Sequence, residues 1–493
     1  MLRLIENIDE LYTCDAADTV LRNAWIVVDG DKIGEIGSGA PPSGDFSERI
    51  DLSGSIAMPG LVNAHHHFFQ SLTRALPRAQ RGHLIKWLGL FYPVWGGMTP
   101  DDLAAAAAAT AAELLLTGAT TSADHFYLIP EADPAFVDSD VEAAKAAGIR
   151  LHLIRGSLTA IEGDLESRLS KTLGPRAGGL IDVPEQVLAD MKRTINRYHD
   201  LSHGSMTTVA LGPTTPTYDN LDYLKDVARL AVESEIGLHM HLHPQPAERA
   251  ATQARFGRTP MQVLDGVGYL TPRTWFAHGT RLDEYDLALM RDRGVSMSHS
   301  PRMIMRLGSK ITPIHDVLAS GVRVAVGVDG AASNDGGSML GEMRIALLLH
   351  RLAGGGDEVD PARWLDPYDV LLMSTREAAA IIGRSDIGSL APGMCADVAA
   401  FDMTGVDFAG ARQHLLSGLL LAGDNTRASL TMVGGSTRVR DGKLLHQNEF
   451  ALREKVDLAA ARLTERAAKL TGVDYLAFPD RLTRAILPAA TAG

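Results

Sequence analysis

The chain has 493 residues, 45% of them hydrophobic and 22% charged, with a formal net charge of −13. That length exceeds one ordinary domain but suits a barrel with an accessory sheet, and the composition is that of a soluble protein with a large core. The acidic surplus argues against nucleic acid or an anionic membrane surface as partner.

No run approaches eighteen apolar residues, so no membrane span is predicted. The N-terminus, Met1-Leu2-Arg3-Leu4-Ile5-Glu6, lacks the apolar stretch of a signal peptide. Two cysteines, Cys14 and Cys395, exclude a disulfide scaffold and a CxxC zinc site and suit a reducing compartment. The expected location is the cytoplasm.

Taken in chain order, the first fifty-odd residues read as β-structure. Ala24–Val28 runs into the turn Asp29-Gly30-Asp31-Lys32 and on to Ile33–Ile36. Eight apolar, β-rich runs follow near 56–64, 118–124, 149–155, 206–212, 235–241, 273–278, 294–299 and 322–329, separated by stretches long enough for crossover helices. The plainest helix spans 100–117, with Thr99 as N-cap, Pro100 in the first turn, Asp101 and Asp102 facing the dipole, and Gly118 as the stop. Short strands with glycine turns return at 396–401, 430–435 and 439–444. Beyond 451, Leu452, Val456, Leu458, Leu463 and Leu470 predict a surface helix followed by a loose end.

The expected fold is α/β: a (β/α)8 TIM-like barrel over 58–385, with a small β-sandwich domain built from both termini, 1–57 plus 386–450. A C-terminal helix and tail occupy 451–493.

The chemistry sits at the ends of these runs. Side chains two apart on a strand share a face, so His65 and His67 can point together into a barrel mouth while His66 points away. In His239-Met240-His241-Leu242-His243 three imidazoles can share a face, and spacing does not choose among them. His278 and Asp329 close later runs, at the strand ends where barrel enzymes keep their reacting groups. Imidazole and carboxylate donors suit Zn2+, or Fe2+ as a second choice.

Blander readings stand beside these. Asp124-His125 can line a pocket or form a buried hydrogen-bonded pair, Arg155 can clamp substrate or form an ion pair, and Gln70 can contact substrate or cap a loop. Trp87 and Tyr127 fit a core as well as an aromatic wall.

Several motifs together resemble the amidohydrolase superfamily, in the branch that holds 8-oxoguanine, cytosine and guanine deaminases and the s-triazine hydrolases. They are Pro59-Gly-Leu-Val-Asn-Ala-His65-His-His67-Phe-Phe-Gln70, Asp124-His125-Phe126-Tyr127, His239-Met-His241, Ala277-His278-Gly279 and Val328-Asp329-Gly-Ala-Ala-Ser333-Asn334-Asp335. The resemblance covers roughly residues 1–450 and is strongest toward 8-oxoguanine deaminases and hydroxyatrazine aminohydrolases, whose first strand also ends in three histidines.

It implies that His65, His67, His241 and Asp329 ligate one divalent metal that activates water, that Asp329 also serves as base, and that His278 bonds the attacking or developing oxygen. A binuclear relative needs a lysine on the fourth strand, and Met206–Gly212 has none. Gln70, His125, Arg155 and Gln245 are the candidate substrate contacts. A small-molecule substrate and a homo-oligomer, dimer or larger, are the implied partners.

Two departures matter. Pro244 stands three residues after His241, where family deaminases carry a glutamate that protonates a ring nitrogen, and Ile304 stands where many members have asparagine. Losing a general acid costs about 100- to 10,000-fold. Either Gln245, His243 or Glu248 takes over, or the substrate needs no ring protonation.

The expected activity is therefore aminohydrolysis of a nitrogen heterocycle, such as 8-oxoguanine, another purine or pyrimidine, or an s-triazine. The alternative is hydrolysis of an amide, urea, carbamate or carbon–halogen bond on the same scaffold. A non-catalytic metal-binding protein is a third reading, disfavoured because a structural site closes its coordination shell and needs no extra base. A cytidine-deaminase-type enzyme is excluded by the missing His-x-Glu and Pro-Cys-x-x-Cys elements.

Overall fold

The fold is that of a computed structural model, which describes residues 1–479 apart from 162, 174–178, 243–245, 354–359 and 424–426. His243, Pro244 and Gln245 thus lie outside the described residues, as does the end of the tail.

Eight parallel strands form the centre: β1 (Leu61–Asn63), β2 (Ala119–Phe126), β3 (Arg150–Ser157), β4 (Thr207–Pro213), β5 (Gly237–Leu242), β6 (Thr274–His278), β7 (Ser296–His299) and β8 (Val324–Val326). Each pairs in parallel with the next. The ring is completed by main-chain bonds from Ala64 N–H to the Val326 carbonyl at 3.2 Å and from Asp329 N–H to the His65 carbonyl at 2.9 Å. Every predicted apolar run overlaps one of these strands, four of which extend one or two residues past the predicted end. β2 and β3 are buried at every position, as a sheet covered on both faces requires. Val62, Ala64, Ala123, Ile154, Trp275 and Ala325 pack in one buried cluster, and the Trp275 indole donates to the Ala64 carbonyl at 3.2 Å.

Helices cover the outside of the barrel. α1 (Pro100–Leu116) starts as its sequence predicts, with a capping box in which the Thr99 hydroxyl accepts from Asp102 N–H and the Asp102 carboxylate accepts from Thr99 N–H. It ends before Gly118, whose φ of +87° a side chain rarely adopts, and where a Cβ would also lie 2.7 Å from Phe401. α2 (Pro246–Phe256) follows β5, and α3 (Met339–Leu349) follows β8. α4 (Glu449–Thr471) realises the predicted surface helix, with Leu463 buried and Leu458 exposed. No described helix is long and apolar enough to cross a membrane.

Both termini build one nine-stranded, mainly antiparallel sheet. Leu2–Tyr12, Val20–Asp29, Lys32–Ser38, Glu48–Asp51 and Ser55–Pro59 come from the front of the chain, and Val398–Asp402, Leu430–Val433, Ser436–Arg440 and Lys443–Leu444 from the back. The seam between them is the antiparallel pairing of Ser55–Pro59 with Val398–Asp402. Ile5, Ile26, Ile33, Val398, Leu430 and Met432 meet in a single core, so the sheet closes over its own apolar face. A buried ion pair ties this sheet to the barrel. Arg150, at the start of β3, binds Asp397 through Nε–Oδ2 at 2.8 Å and Nη2–Oδ1 at 3.0 Å. Because Ser55–Pro59 runs straight into β1, the same seam fixes where the chain enters the barrel and so where His65 emerges.

Candidate active site

β1 ends at Asn63, and the chain then turns across the barrel mouth, placing His65 and His67 on one side and starting a short 3-10 helix at Phe68. The Asp124 carboxylate accepts the Phe68 N–H at 2.8 Å and pins that turn. His241 comes from β5, His278 ends β6, and Asp329 follows β8. All five side chains are buried.

Their donor atoms converge. Asp329 Oδ1 lies 3.4 Å from His65 Nε2 and 3.3 Å from His67 Nε2, and His67 Nε2 lies 3.1 Å from His241 Nε2. The opposite ring nitrogens decide the tautomers. His67 Nδ1 donates to the His125 carbonyl at 2.6 Å, and His241 Nδ1 donates to the Thr214 carbonyl at 2.8 Å. His239 Nδ1 donates to the Trp275 carbonyl at 2.9 Å, which leaves its Nε2 to accept from His65 Nδ1 at 2.8 Å.

Three unprotonated Nε2 atoms and a carboxylate oxygen therefore face one another with no proton to share. A cation relieves that arrangement, and each Nδ1 bond holds its ring in the ligating orientation. His65 Nε2 correspondingly finds no hydrogen-bond partner. The donor set fits a divalent metal such as zinc.

Burial keeps these imidazoles neutral, as metal binding needs. It pushes His67 down to about 3 and His278 to about 4, and lowers His65 and His241 as well. Burial alone would raise Asp329, but His67, His278, His241 and the Gly330 N–H together hold its carboxyl below the usual range. Its Oδ1 accepts from Gly330 N–H at 2.7 Å and its Oδ2 from the Ser333 hydroxyl at 3.0 Å. His278 and Asp329 both occupy left-handed backbone, at φ +81° and +64°. Such strain in non-glycine residues is held by surrounding structure and clusters at functional sites.

The group sits at one wall of a cavity of about 520 Å³. His67, His241, His278 and Asp329 border it, with Trp87, Tyr92 and Tyr127 as aromatic walls and Glu248 and Arg255 of α2 on another side. Gln70 also borders it, buried, with its Oε1 free of any protein partner. A Cβ on Gly330 would lie 2.0 Å from that oxygen, so the glycine permits this placement.

The remaining candidates fall elsewhere, and two expectations need correction. Arg155 does not border the cavity: it is buried against Asp190, with Nε–Oδ2 at 2.7 Å, and donates to the Gly156 carbonyl. Its strand turns it outward, so the ion-pair reading holds. His125 does not border the cavity either, because its Nε2 is tied to the Gly212 carbonyl at 2.6 Å. It packs instead beside His67 and His241, and with His65 these four form a compact group of potential ligands. Gln245 lies outside the described residues. Sequence reasoning missed Thr214, which acts through a main-chain carbonyl that any residue supplies, and Arg255, for which no spacing pattern gives a signal.

Comparison with known proteins agrees with this geometry. A model of the amidohydrolase family matches residues 56–438. The 8-oxoguanine deaminase of Pseudomonas aeruginosa is 36% identical over 469 residues, covering 94% of this chain and 97% of that protein. The hydroxydechloroatrazine ethylaminohydrolase of Pseudomonas sp. strain ADP is 32% identical over 461 residues, covering 91% and 93%. Among solved structures, atrazine chlorohydrolase from Arthrobacter aurescens complexed with zinc superimposes with a TM-score of 0.85 at 30% identity, covering 93% of this chain and all of that one (100%).

Proposed function

The chain belongs to the amidohydrolase family, and we propose that it is a zinc-dependent aminohydrolase that releases ammonia or an amine from a planar nitrogen heterocycle. The observation that carries this reading is the convergence of the His65, His67 and His241 Nε2 atoms on Asp329 Oδ1 beside a cavity walled by aromatic rings. A divalent cation held by these residues supplies the Lewis-acid chemistry that makes water a nucleophile near neutral pH. One metal is favoured because β4, Thr207–Pro213, carries no lysine.

Asp329 has two oxygens for two tasks. Oδ1 faces the imidazoles, while Oδ2, steadied by Ser333, takes the proton from the attacking water. His278, stacked on His241 with ring centroids 5.3 Å apart, hydrogen-bonds the attacking oxygen and orients it toward the ring carbon. Gln70 Oε1 accepts a ring or amino N–H of the substrate, and Trp87, Tyr92 and Tyr127 pack against its faces. The names of the 8-oxoguanine deaminase and hydroxydechloroatrazine ethylaminohydrolase relatives support an oxidised purine or an s-triazine as the substrate class.

The test is a panel of aminated purines, pyrimidines and s-triazines offered to zinc- and iron-loaded protein. Ammonia or amine release supports the reading, and none from any member of the panel refutes it.

Pro244 favours a second reading on the same scaffold, with an amide, urea, carbamate or halide as the scissile group, since chloride leaves without protonation. Pro244→Glu separates the two: a gain in ammonia release places the proline's effect on deamination itself. The buried free thiols Cys14 and Cys395 suit a reducing cytoplasm. Light scattering reads whether the chain forms the dimer or larger homo-oligomer implied by the resemblance.

A further inference from the structure

At the end of the barrel opposite the catalytic histidines, three donor groups from segments remote in sequence meet. His203 lies in the loop that leads into β4, at the N-terminal end of that strand. Asp386 and Cys395 lie in the stretch that leads from the barrel to the strand Val398–Asp402. Cys395 Sγ is 3.4 Å from Asp386 Oδ2 and 3.8 Å from His203 Nε2, and the donor atoms of all three lie within 4.8 Å of one another. Cys395 is buried, Asp386 half-buried and His203 exposed, so the group opens to solvent on its imidazole side.

The surroundings hold these donors in place. Asp386 Oδ1 accepts from Arg384 Nε at 2.7 Å, and its Oδ2 accepts from Arg384 Nη2 and from Gly204 N–H, both at 2.8 Å. The Cys395 N–H donates to the Asp386 carbonyl at 2.9 Å, and the Ala396 N–H donates to the Asp31 carbonyl at 2.8 Å. Gly204, at φ +76°, leaves the space between them open: a Cβ there would lie 3.2 Å from Asp31 Oδ2 and 4.0 Å from Cys395 Sγ.

Two simpler roles fall short. As the ion-pair partner of Arg384, Asp386 needs neither a thiol nor an imidazole at its other side. As a nucleophile or oxidation sensor, Cys395 would need a thiolate, and burial pushes its thiol up to about 12 despite the Arg150 guanidinium nearby. A bound cation is different, because it deprotonates a coordinating thiol outright. The spacing also suits one. Zinc bond lengths to sulfur, nitrogen and oxygen place tetrahedral donors about 3.6 Å apart, and the two sulfur distances here fall on either side of that value.

We propose that Cys395, His203 and Asp386 form a second zinc site, which fastens the lower end of the barrel to the terminal sheet. Binding forms bonds from zinc to Sγ, to His203 Nε2 and to Asp386 Oδ2, and the thiol proton leaves to solvent with no change of oxidation state. Arg384 keeps its bond to Oδ1. Water or the Asp31 carboxylate fills the fourth position. A thiolate among the donors selects zinc over magnesium or calcium. None of the three residues borders the catalytic cavity, so the site stands apart from the aminohydrolase reading.

The experiment loads full-length, metal-free protein with Co2+ as a spectroscopic substitute for zinc. The catalytic donors are imidazoles and a carboxylate, so a thiolate-to-cobalt charge-transfer band in the near ultraviolet reports the new site alone. Wild type is expected to develop that band as it takes up two equivalents of cobalt per chain, and to lose it when zinc displaces the cobalt. Cys395→Ser should abolish the band and lower zinc content by one equivalent per chain, with the remaining equivalent and ammonia release unchanged. His203→Gln, at an exposed position that tolerates change, should weaken cobalt binding at this site by at least about tenfold. No band in wild type overturns the site. So does a band that survives Cys395→Ser, which would then come from Cys14, the only other cysteine. Wild-type cobalt affinity in His203→Gln overturns it as well.

Discussion

Asp329 and His65 touch twice: the Asp329 N–H donates to the His65 carbonyl at 2.9 Å, and Asp329 Oδ1 lies 3.4 Å from His65 Nε2. The first contact helps close the barrel between its last and first strands, and the second brings the carboxylate to the histidines. The closure of the fold and the assembly of the donor set are thus one event. Asp329→Asn keeps the shape but removes the charge and the base. Activity should fall by about 100- to 10,000-fold, and zinc content should fall with it. Full zinc occupancy and full activity in this variant would remove Asp329 from the site.

His239 touches no substrate cavity and yet sets the tautomer of His65 through the 2.8 Å bond between their rings. His239→Phe retains the aromatic volume and loses that bond. Zinc affinity, measured by competition with a chelator, should weaken by about 10- to 100-fold while the far-UV spectrum is unchanged. An affinity equal to wild type would make His239 a packing residue.

Gly330 gives Gln70 its place, and Gly330→Ala puts a methyl 2.0 Å from the Gln70 oxygen. Displacing one substrate hydrogen bond is worth roughly 1.4 kcal/mol, or about tenfold. KM should rise by about that factor and kcat should change less. Equal KM values would mean that the Gln70 amide makes no bond to substrate.

Acid should destabilise the metal-free protein. His67 is held near 3 and His278 near 4, so both stay neutral in the folded chain while the unfolded chain takes up protons near 6.5. Stability from each is complete above about 6.5 and is lost as pH falls toward the folded values, at about 1.4 kcal/mol per pH unit per group. Asp140 and Glu342, raised to about 7 by burial, Asp182, raised to about 6, and Asp124 and Asp219, raised well above the usual range, act in the opposite sense, but the depressed imidazoles outnumber them. Denaturant midpoints at pH 7.5, 6 and 5 should decrease in that order, and a flat series would contradict the burial argument.

Arg150 and Asp397 form a buried pair between the barrel and the terminal sheet, with side chains 1% and 2% exposed. Asp397→Ala strands the guanidinium. The loss should be about 3–5 kcal/mol of stability, read as a lower denaturant midpoint, with zinc content unchanged. A loss below 1 kcal/mol would show that the carbonyls of Gly204 and Ser205 suffice to hold Arg150.

Much of this was legible beforehand, because barrel strands buried on both faces announce themselves as apolar runs. The cap at Thr99 and the stop at Gly118 are local chemistry and read as such. His65, His67, His241, His278 and Asp329 stood out because each closes such a run. The substrate side was harder. Arg155 and His125 also end strands, but Asp190 and the Gly212 carbonyl, both remote in sequence, claim their polar atoms.

The positions of the strands and helices along the chain, and with them the short runs that end at the barrel mouth, follow from local pattern, since period and caps are properties of neighbours in sequence. Which nitrogen of each imidazole is free is set by the assembled barrel. That depends on carbonyls of Thr214, Trp275 and His125, brought close by strand pairing across distances that no local pattern encodes.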